Sequence, residues 1–313
     1  MPPFTIETAP APPASPPGGQ TTAGLIYALA AFTVWGLFPV YFKALRPTGA
    51  LEVVAHRILW SVPLCAFMVS RRGGWGELAR AWGAPGVRLT LLASSLLISV
   101  NWLGFVYAVE SGQVLQASLG YYINPLVNVL LAMIFLGERL RPWQWLAVLL
   151  ALGGTLVLAV GYGQAPWLGL LLALTFGTYG LLRKRVAIDA VGGLFVETCL
   201  LAPLSLAYLA WLVTGGRSAL VNGGWGLSAL LLCAGVVTTM PLVWFTRAAR
   251  RISLTAVGMV MYLTPTLQFL LAVFAYGETF TLTHLLAFGL IWCGLAVFMA
   301  ESVYNSRGLP PAR

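Results

Sequence analysis

Two stretches of this chain carry the same pattern at a fixed spacing of 140 residues. Tyr122-Ile-Asn-Pro125 leads to Gly137-Glu138, and Tyr262-Leu-Thr-Pro265 leads to Gly277-Glu278. Between them Leu130-Leu131-Ala132 is matched by Leu270-Leu271-Ala272. The same offset relates Pro63 to Pro203, Phe105 to Phe245 and Ala108 to Ala248. A chain written twice folds as two similar halves. In a membrane protein such halves point to alternating-access transport, because they can rock about a site between them.

The membrane setting follows from composition. Of 313 residues, 59% are hydrophobic and 9% charged, and the mean hydropathy is +0.86. A soluble domain carries about 25% charged residues, so most of this surface is expected to face lipid or other apolar helices. The net charge of +9 could serve nucleic acid, but the basic residues form no stripe and sit in short connections. No nucleic-acid partner is expected. Cys65, Cys199, Cys233 and Cys293 lie in apolar segments without metal-ligand spacing and read as buried structural thiols.

Apolar runs give ten candidate spanning helices at roughly 24–44, 51–70, 88–108, 113–136, 143–160, 166–184, 191–214, 227–246, 254–277 and 282–301, each near the ~20 residues a span needs. The Pro- and Ala-rich residues 1–21 are expected to be a disordered tail, and 304–313 a second tail. Residues 1–20 carry no Lys or Arg, hence no basic region of a secretory signal.

Basic residues set the orientation. One set of connections, with the C-terminal tail, holds Arg71, Arg72, Arg80, Arg88, Arg139, Arg141, Arg183, Lys184, Arg185, Arg247, Arg250, Arg251, Arg307 and Arg313. The other holds Lys43, Arg46 and Arg217. Both termini are therefore expected in the cytoplasm. Each half, 22–162 and 163–303, has five spans, an odd number, so the second half enters the membrane inverted. The expected fold is all-α: ten transmembrane helices as two inverted five-helix repeats.

Several strings resemble the RarD branch of the EamA-type drug/metabolite transporter superfamily. They are Trp35-Gly36 with Pro39, Tyr41 and Lys43; Glu52 with Arg57; Asn101-Trp102; and Ala117-Ser118-Leu119-Gly120-Tyr121-Tyr122-Ile123-Asn124-Pro125-Leu126. Next come Pro166-Trp167, Phe176-Gly177, Tyr179-Gly180-Leu181 with Arg183-Lys184, Glu197, Pro241-Leu242, Tyr262 with Pro265, and Ile291-Trp292. The resemblance covers nearly all of 22–303. It implies a ten-helix secondary transporter of the bacterial inner membrane that exports a metabolite or an amphipathic, drug-like solute.

Pro125 and Pro265 fall near the middle of the fourth and ninth runs. A proline inside a helix lacks the backbone donor and clashes with the carbonyl four residues back, which frees the carbonyls of Tyr121 and Met261. Interrupted helices at matching places in two halves point to a binding site, although packing kinks would read the same. Ser118, Tyr121, Tyr122 and Asn124 stand beside one proline, and Tyr262, Thr264 and Gln268 beside the other.

Arg57 is the basic residue lying inside a run, where charge is costly and needs a partner. Glu197 is its repeat equivalent. Inverted symmetry sets each about 9 Å in from its own face at 1.5 Å per residue, so some 12 Å of depth separates the two across a core of about 30 Å. A central ion pair, a local anchor and a substrate contact all stay open. Trp35, Trp102, Tyr107, Phe176, Tyr179 and Trp244 could form an aromatic wall for a flat cargo; Trp143, Trp145, Trp167 and Trp225 read as an interfacial belt. Glu138 and Glu278 are expected to meet free N–H groups where the fifth and tenth helices begin.

The chain lacks the phosphate loop of ATPases, leaving a gradient or exchange as energy source. Glu197 and His56 are the titratable candidates for proton coupling. His56 and His284 lack metal-ligand spacing and no nucleophile elbow is present, so neither an enzyme nor a cofactor is expected. The partners are a small solute and the bilayer. The glycines would serve a homodimer or internal packing alike. The rival readings are a lipid scramblase or flippase, or a regulatory membrane protein that moves nothing.

Overall fold

A backbone in apolar surroundings has to satisfy its own N–H and C=O groups, and a helix does so within one segment. In the computed structural model every regular element among the described residues is helical. The structure describes residues 17–45, 48–110, 114–161, 167–275 and 281–307, apart from the side chains of 17–20, 106, 109–110, 114–119, 272, 302–303 and 305–307.

The elements in chain order are α1 (Pro17–Gly36), α2 (Phe38–Ala44), α3 (Ala50–Arg71), α4 (Trp75–Gly83), α5 (Val87–Glu110), α6 (Val114–Leu136) and α7 (Pro142–Gly161). They continue with α8 (Trp167–Arg185), α9 (Ala190–Thr214), α10 (Ala219–Asn222), α11 (Gly224–Ala249), α12 (Leu254–Met261), α13 (Leu263–Leu270), a π-helical segment (Leu271–Ala275) and α14 (Leu282–Arg307). The first helix begins at Pro17, so the last five residues of the expected tail are helical; proline's fixed φ suits a first helical position.

Eight helical stretches are long and apolar enough to cross a membrane: Thr21–Ala44, Ala50–Arg71, Val87–Phe105, Pro142–Gly161, Ala190–Thr214, Gly224–Ala249, Leu254–Ala275 and Leu282–Glu301. Of the other two expected spans, α6 is a shorter apolar helix over Gly120–Leu136, and α8 closes on Arg183-Lys184-Arg185.

Helix starts keep the spacing of the sequence repeat. α3 and α9 begin at Ala50 and Ala190, α6 and α12 at Val114 and Leu254, and α7 and α14 at Pro142 and Leu282. Packing partners follow the same exchange. α1 lies on α11 and α13, as α8 lies on α5 and α6; α3 lies on α11, as α9 lies on α5. α7 pairs with α14, α3 with α9, and α6 with α12. Along the α7–α14 seam the contact is reciprocal. A Cβ at Gly154 would come within 2.5 Å of the Ala287 carbonyl oxygen, and one at Gly294 within 2.6 Å of the Ala147 carbonyl oxygen. These glycines let two backbones touch.

The two prolines do not behave alike. α6 runs through Pro125 without a break, whereas the ninth run breaks at Tyr262 (φ −60°, ψ −15°), with Pro265 in the first turn of α13. The interruption expected in both halves thus occurs in the second. Pro265 cannot donate to the Met261 carbonyl, and the segment loosens again into its π-helical end.

Candidate functional site

The expected first span is also broken, between α1 and α2 at Leu37 (φ −87°, ψ −3°). Pro39 has no N–H for the Trp35 carbonyl four residues back, and Gln268 Nε2 donates to that carbonyl instead, at 3.2 Å. Thr264 Oγ1 donates to the Phe32 carbonyl at 2.9 Å. Two side chains of α13 therefore hold the backbone of α1 next to its break. A Cβ at Gly36 would stand 2.7 Å from Leu267 Cβ, so the Leu267 side chain packs directly on the Gly36 backbone.

Beside this junction lies a cavity of about 320 Å³. Trp35 and Phe32 of α1, Phe38, Pro39 and Phe42 of α2, and Arg57 of α3 line one part. Asn101, Trp102 and Phe105 of α5, with Gly120, Tyr121 and Asn124 of α6, line another. Leu172 and Phe176 of α8, Leu242 of α11, and Met261, Thr264 and Gln268 complete it. Of the residues expected at a site, the cavity brings together Trp35, Arg57, Asn101, Trp102, Tyr121, Asn124, Phe176, Thr264 and Gln268.

The others lie elsewhere. Tyr122 and Tyr262 belong to a separate core with Ala147, Ala287 and Phe288, where the Tyr122 ring is 5.7 Å from that of Phe288. Pro125 and Pro265 are buried in their helices and do not line the cavity. Tyr179 is fully buried behind Phe176, at 5.9 Å between rings. Tyr107 is half exposed, and Trp244 packs against the main core. Ser118 lies outside the residues whose side chains are described. Trp143, Trp145, Trp167 and Trp225 are exposed, as a belt would require.

Asn101 and Asn124 look alike in sequence but differ in surroundings. Asn101 Nδ2 donates to the Leu172 carbonyl at 2.8 Å and to Thr175 Oγ1 at 2.9 Å, so it ties α5 to α8. Asn124 is 6% exposed and its Oδ1 accepts no hydrogen bond. An unsatisfied buried acceptor costs about 1–3 kcal/mol, a cost that a donor entering the cavity would remove.

Arg57 stands over aromatic faces. Its Cζ is 5.3 Å from the centre of the Trp102 ring and 5.8 Å from those of Phe38 and Phe42. Nε donates to Thr238 Oγ1 of α11 at 2.9 Å. Cation–π contact and one hydroxyl support the charge without neutralising it. Among the described residues no carboxylate is within ion-pairing distance of it.

Glu197 has a different partner. Its Oε1 is 3.7 Å from Arg183 Nη1 and both side chains are essentially inaccessible. Ser94 Oγ donates to Oε1 at 2.5 Å and the Tyr179 hydroxyl to Oε2 at 3.3 Å, while Arg183 Nη2 donates to the Ala190 carbonyl at 2.8 Å. Arg183, counted in the sequence as a connection charge, is thus a core residue. The run of Arg183, Lys184 and Arg185 hid it: Lys184 bonds the Ala249 and Ile252 carbonyls and Arg185 bonds the Phe135 carbonyl, each turned a different way around the helix. His56 is buried too; its Nδ1 accepts from Trp60 Nε1 at 3.0 Å.

Glu138 does meet free helix N–H groups, but of another helix. Its carboxylate accepts from the Leu254 and Thr255 amides at 2.8 and 3.2 Å and from Thr255 Oγ1 at 2.8 Å, capping α12 and not the fifth helix. The pairing α6 with α12 brings that start within reach, a neighbour the order of the chain does not reveal. Glu278 lies outside the described residues. Phe38, Phe42, Phe105 and Thr238 were missed as site residues. The α1–α2 break and the α3–α11 contact expose them, and Pro39 was the available signal for the break. Among the described residues no group of His, Cys, Asp or Glu could hold a metal ion.

A model of the EamA-like transporter family matches the chain twice, over residues 22–160 and 164–300. An uncharacterized transporter of Vibrio cholerae is 44% identical over 290 residues, covering 93% of this chain and 96% of the relative. Protein RarD of Escherichia coli K12 is 42% identical over 288 residues, covering 92% and 97%. A protein of Pseudomonas aeruginosa named chloramphenicol-sensitive protein RarD is 34% identical over 280 residues, covering 88% and 92%. A solved crystal structure aligns at a TM-score of 0.70 and 19% identity, over 90% of this chain and 99% of its own, a likeness of fold.

Proposed function

The chain belongs to the EamA-like transporter family, and from that premise we propose that it moves a small solute across a membrane by alternating access between two inverted five-helix repeats. With its family relatives and its apolar helices it is a multi-pass membrane protein. The repeats are residues 22–162 and 163–303, ten spans in all. The double family match, the shared spacing of helix starts and the exchange of packing partners support that division. Both termini lie on the arginine-rich side, the cytoplasm, and the membrane is the bacterial inner membrane. The name of the Pseudomonas relative favours export of a metabolite or amphipathic, drug-like cargo.

One observation carries the reading. The cavity beside Arg57 is lined from both halves of the chain, and a site shared by two repeats changes sides when they rock. Trp35, Trp102 and Phe176 hold the cargo's apolar body, and Asn124 receives a donor from it. Arg57 contacts the cargo, while Glu197 keeps Arg183 neutralised at the side of the pathway.

The test loads proteoliposomes with a defined mixture of metabolites and antibiotics and follows their loss by mass spectrometry. The expected result is saturable, protein-dependent loss of one chemical class, reduced in Asn124→Ala at equal protein content. Loss no faster than from empty liposomes for every solute would overturn the reading and favour a lipid substrate or a non-transporting role.

A further inference from the structure

Resting on that transport reading, we infer that the cargo is a small organic anion, a carboxylate or a phosphate ester, held by its oxyanion in the fork of Arg57. Among the described residues Arg57 is the sole charged one on the cavity wall; the rest is aromatic, aliphatic, thioether, amide or hydroxyl. A guanidinium in such a wall is costly unless an opposite charge or water compensates it. Among the described residues its partners are three ring faces and one hydroxyl. Thr238 occupies Nε, which leaves the two Nη groups, four N–H donors in a plane, for an occupant. That fork matches the two oxygens of a carboxylate or phosphate.

The ion pair between Arg183 and Glu197 makes the contrast. Glu197 holds Arg183 at 3.7 Å in a site closed to solvent, so the fold neutralises one buried arginine and leaves the other facing the cavity. Glu197, the repeat equivalent of Arg57, is spent on Arg183. Asn124 Oδ1, buried and without a donor, offers a further contact that tightens an anion carrying an N–H or O–H group away from its charged end but is not needed for the oxyanion to bind. The volume of about 320 Å³ sits at the small end of the roughly 300–1,000 Å³ typical of ligand sites, so one aromatic ring or a short chain fills it.

The experiment compares four probes of one shape on the purified protein in detergent: phenylacetate, phenyl phosphate, phenylacetamide and phenethylammonium. Melting temperature is followed against probe concentration. We expect phenylacetate or phenyl phosphate to raise it at concentrations where the amide and the ammonium do not, and the two anions separate a carboxylate cargo from a phosphate one. Arg57→Gln is expected to weaken the anion about a hundredfold, and Arg57→Lys, which keeps charge without the fork, to weaken it less. An amide or ammonium that binds as tightly as the anions, an anion unaffected by Arg57→Gln, or no response to any probe overturns the inference. Should Arg57→Gln not fold, the charge series on the wild type still decides. The proteoliposome screen separates the two claims. Saturable loss of neutral or cationic solutes alone removes the anion and keeps the transporter, whereas no flux of any solute removes both.

Discussion

Gly154 of α7 faces the backbone of Ala287 on α14, so closely that a Cβ would lie 2.5 Å from its carbonyl oxygen. Gly294 meets Ala147 in the same way, and the 140-residue offset relates Gly154 to Gly294 and Ala147 to Ala287. A steric rule this local predicts a sharp asymmetry. Gly154→Ala is expected to cost about 1–3 kcal/mol through overpacking, read as a lower melting temperature in detergent. Gly289→Ala, on the partner helix α14 but with nothing within 4 Å of its Cβ, should leave the melting temperature unchanged or higher, since alanine favours helix. Equal effects would mean that the seam is not closed as described.

The buried pair Arg183–Glu197 gives a second prediction. Removing one partner leaves an uncompensated buried charge, at a cost of about 3–5 kcal/mol, so Glu197→Leu and Arg183→Leu should each lower the amount of folded protein. The double replacement leaves no orphan charge and should recover part of that loss. Thermal unfolding of the two single variants and the double variant forms a cycle that measures the coupling. A double variant no better than the worse single one would place the cost in lost packing.

Glu138 yields a third. Its carboxylate satisfies two amides and a hydroxyl at the start of α12, where negative charge also favours the helix dipole. Glu138→Ala should cost about 0.5–2 kcal/mol, in the range for loss of a cap, read by thermal unfolding. Hydrogen exchange should rise first in the amides of Leu254 and Thr255; uniform change across the protein would argue against a local cap.

The architecture was legible where the signal is local or periodic. Apolar runs and the offset from Tyr122 to Tyr262 lie in the sequence itself, and helix starts such as Ala50 and Ala190 keep that offset. What escaped depends on which helices become neighbours. Arg183 reads as one of three loop charges, yet its turn of α8 faces the core beside Glu197. Glu138 has two following helices to choose from and caps the one that packs on α6. Tyr122 and Asn124 are two positions apart, and the helical turn between them sends one to the second core and the other to the cavity. Proline misled in the other direction, since α6 absorbs Pro125 while Pro39, read only as part of a resemblance, marks the break beside the cavity.

Two asparagines on the cavity wall separate a structural role from a binding role. Asn101 spends its amide on the Leu172 carbonyl and Thr175, so Asn101→Leu should destabilise by about 1–3 kcal/mol by stranding buried polar groups. Asn124 keeps an acceptor without a donor, so Asn124→Leu removes an unsatisfied group and should cost less stability than Asn101→Leu. Its cost is expected in the half-saturation concentration for flux, which should rise while membrane abundance stays near wild type. Measuring flux and melting temperature on both variants decides it. If Asn124→Leu instead lost stability and kept its flux, the acceptor would be serving the fold, and the cargo would have to be held by the rings and Arg57 without it.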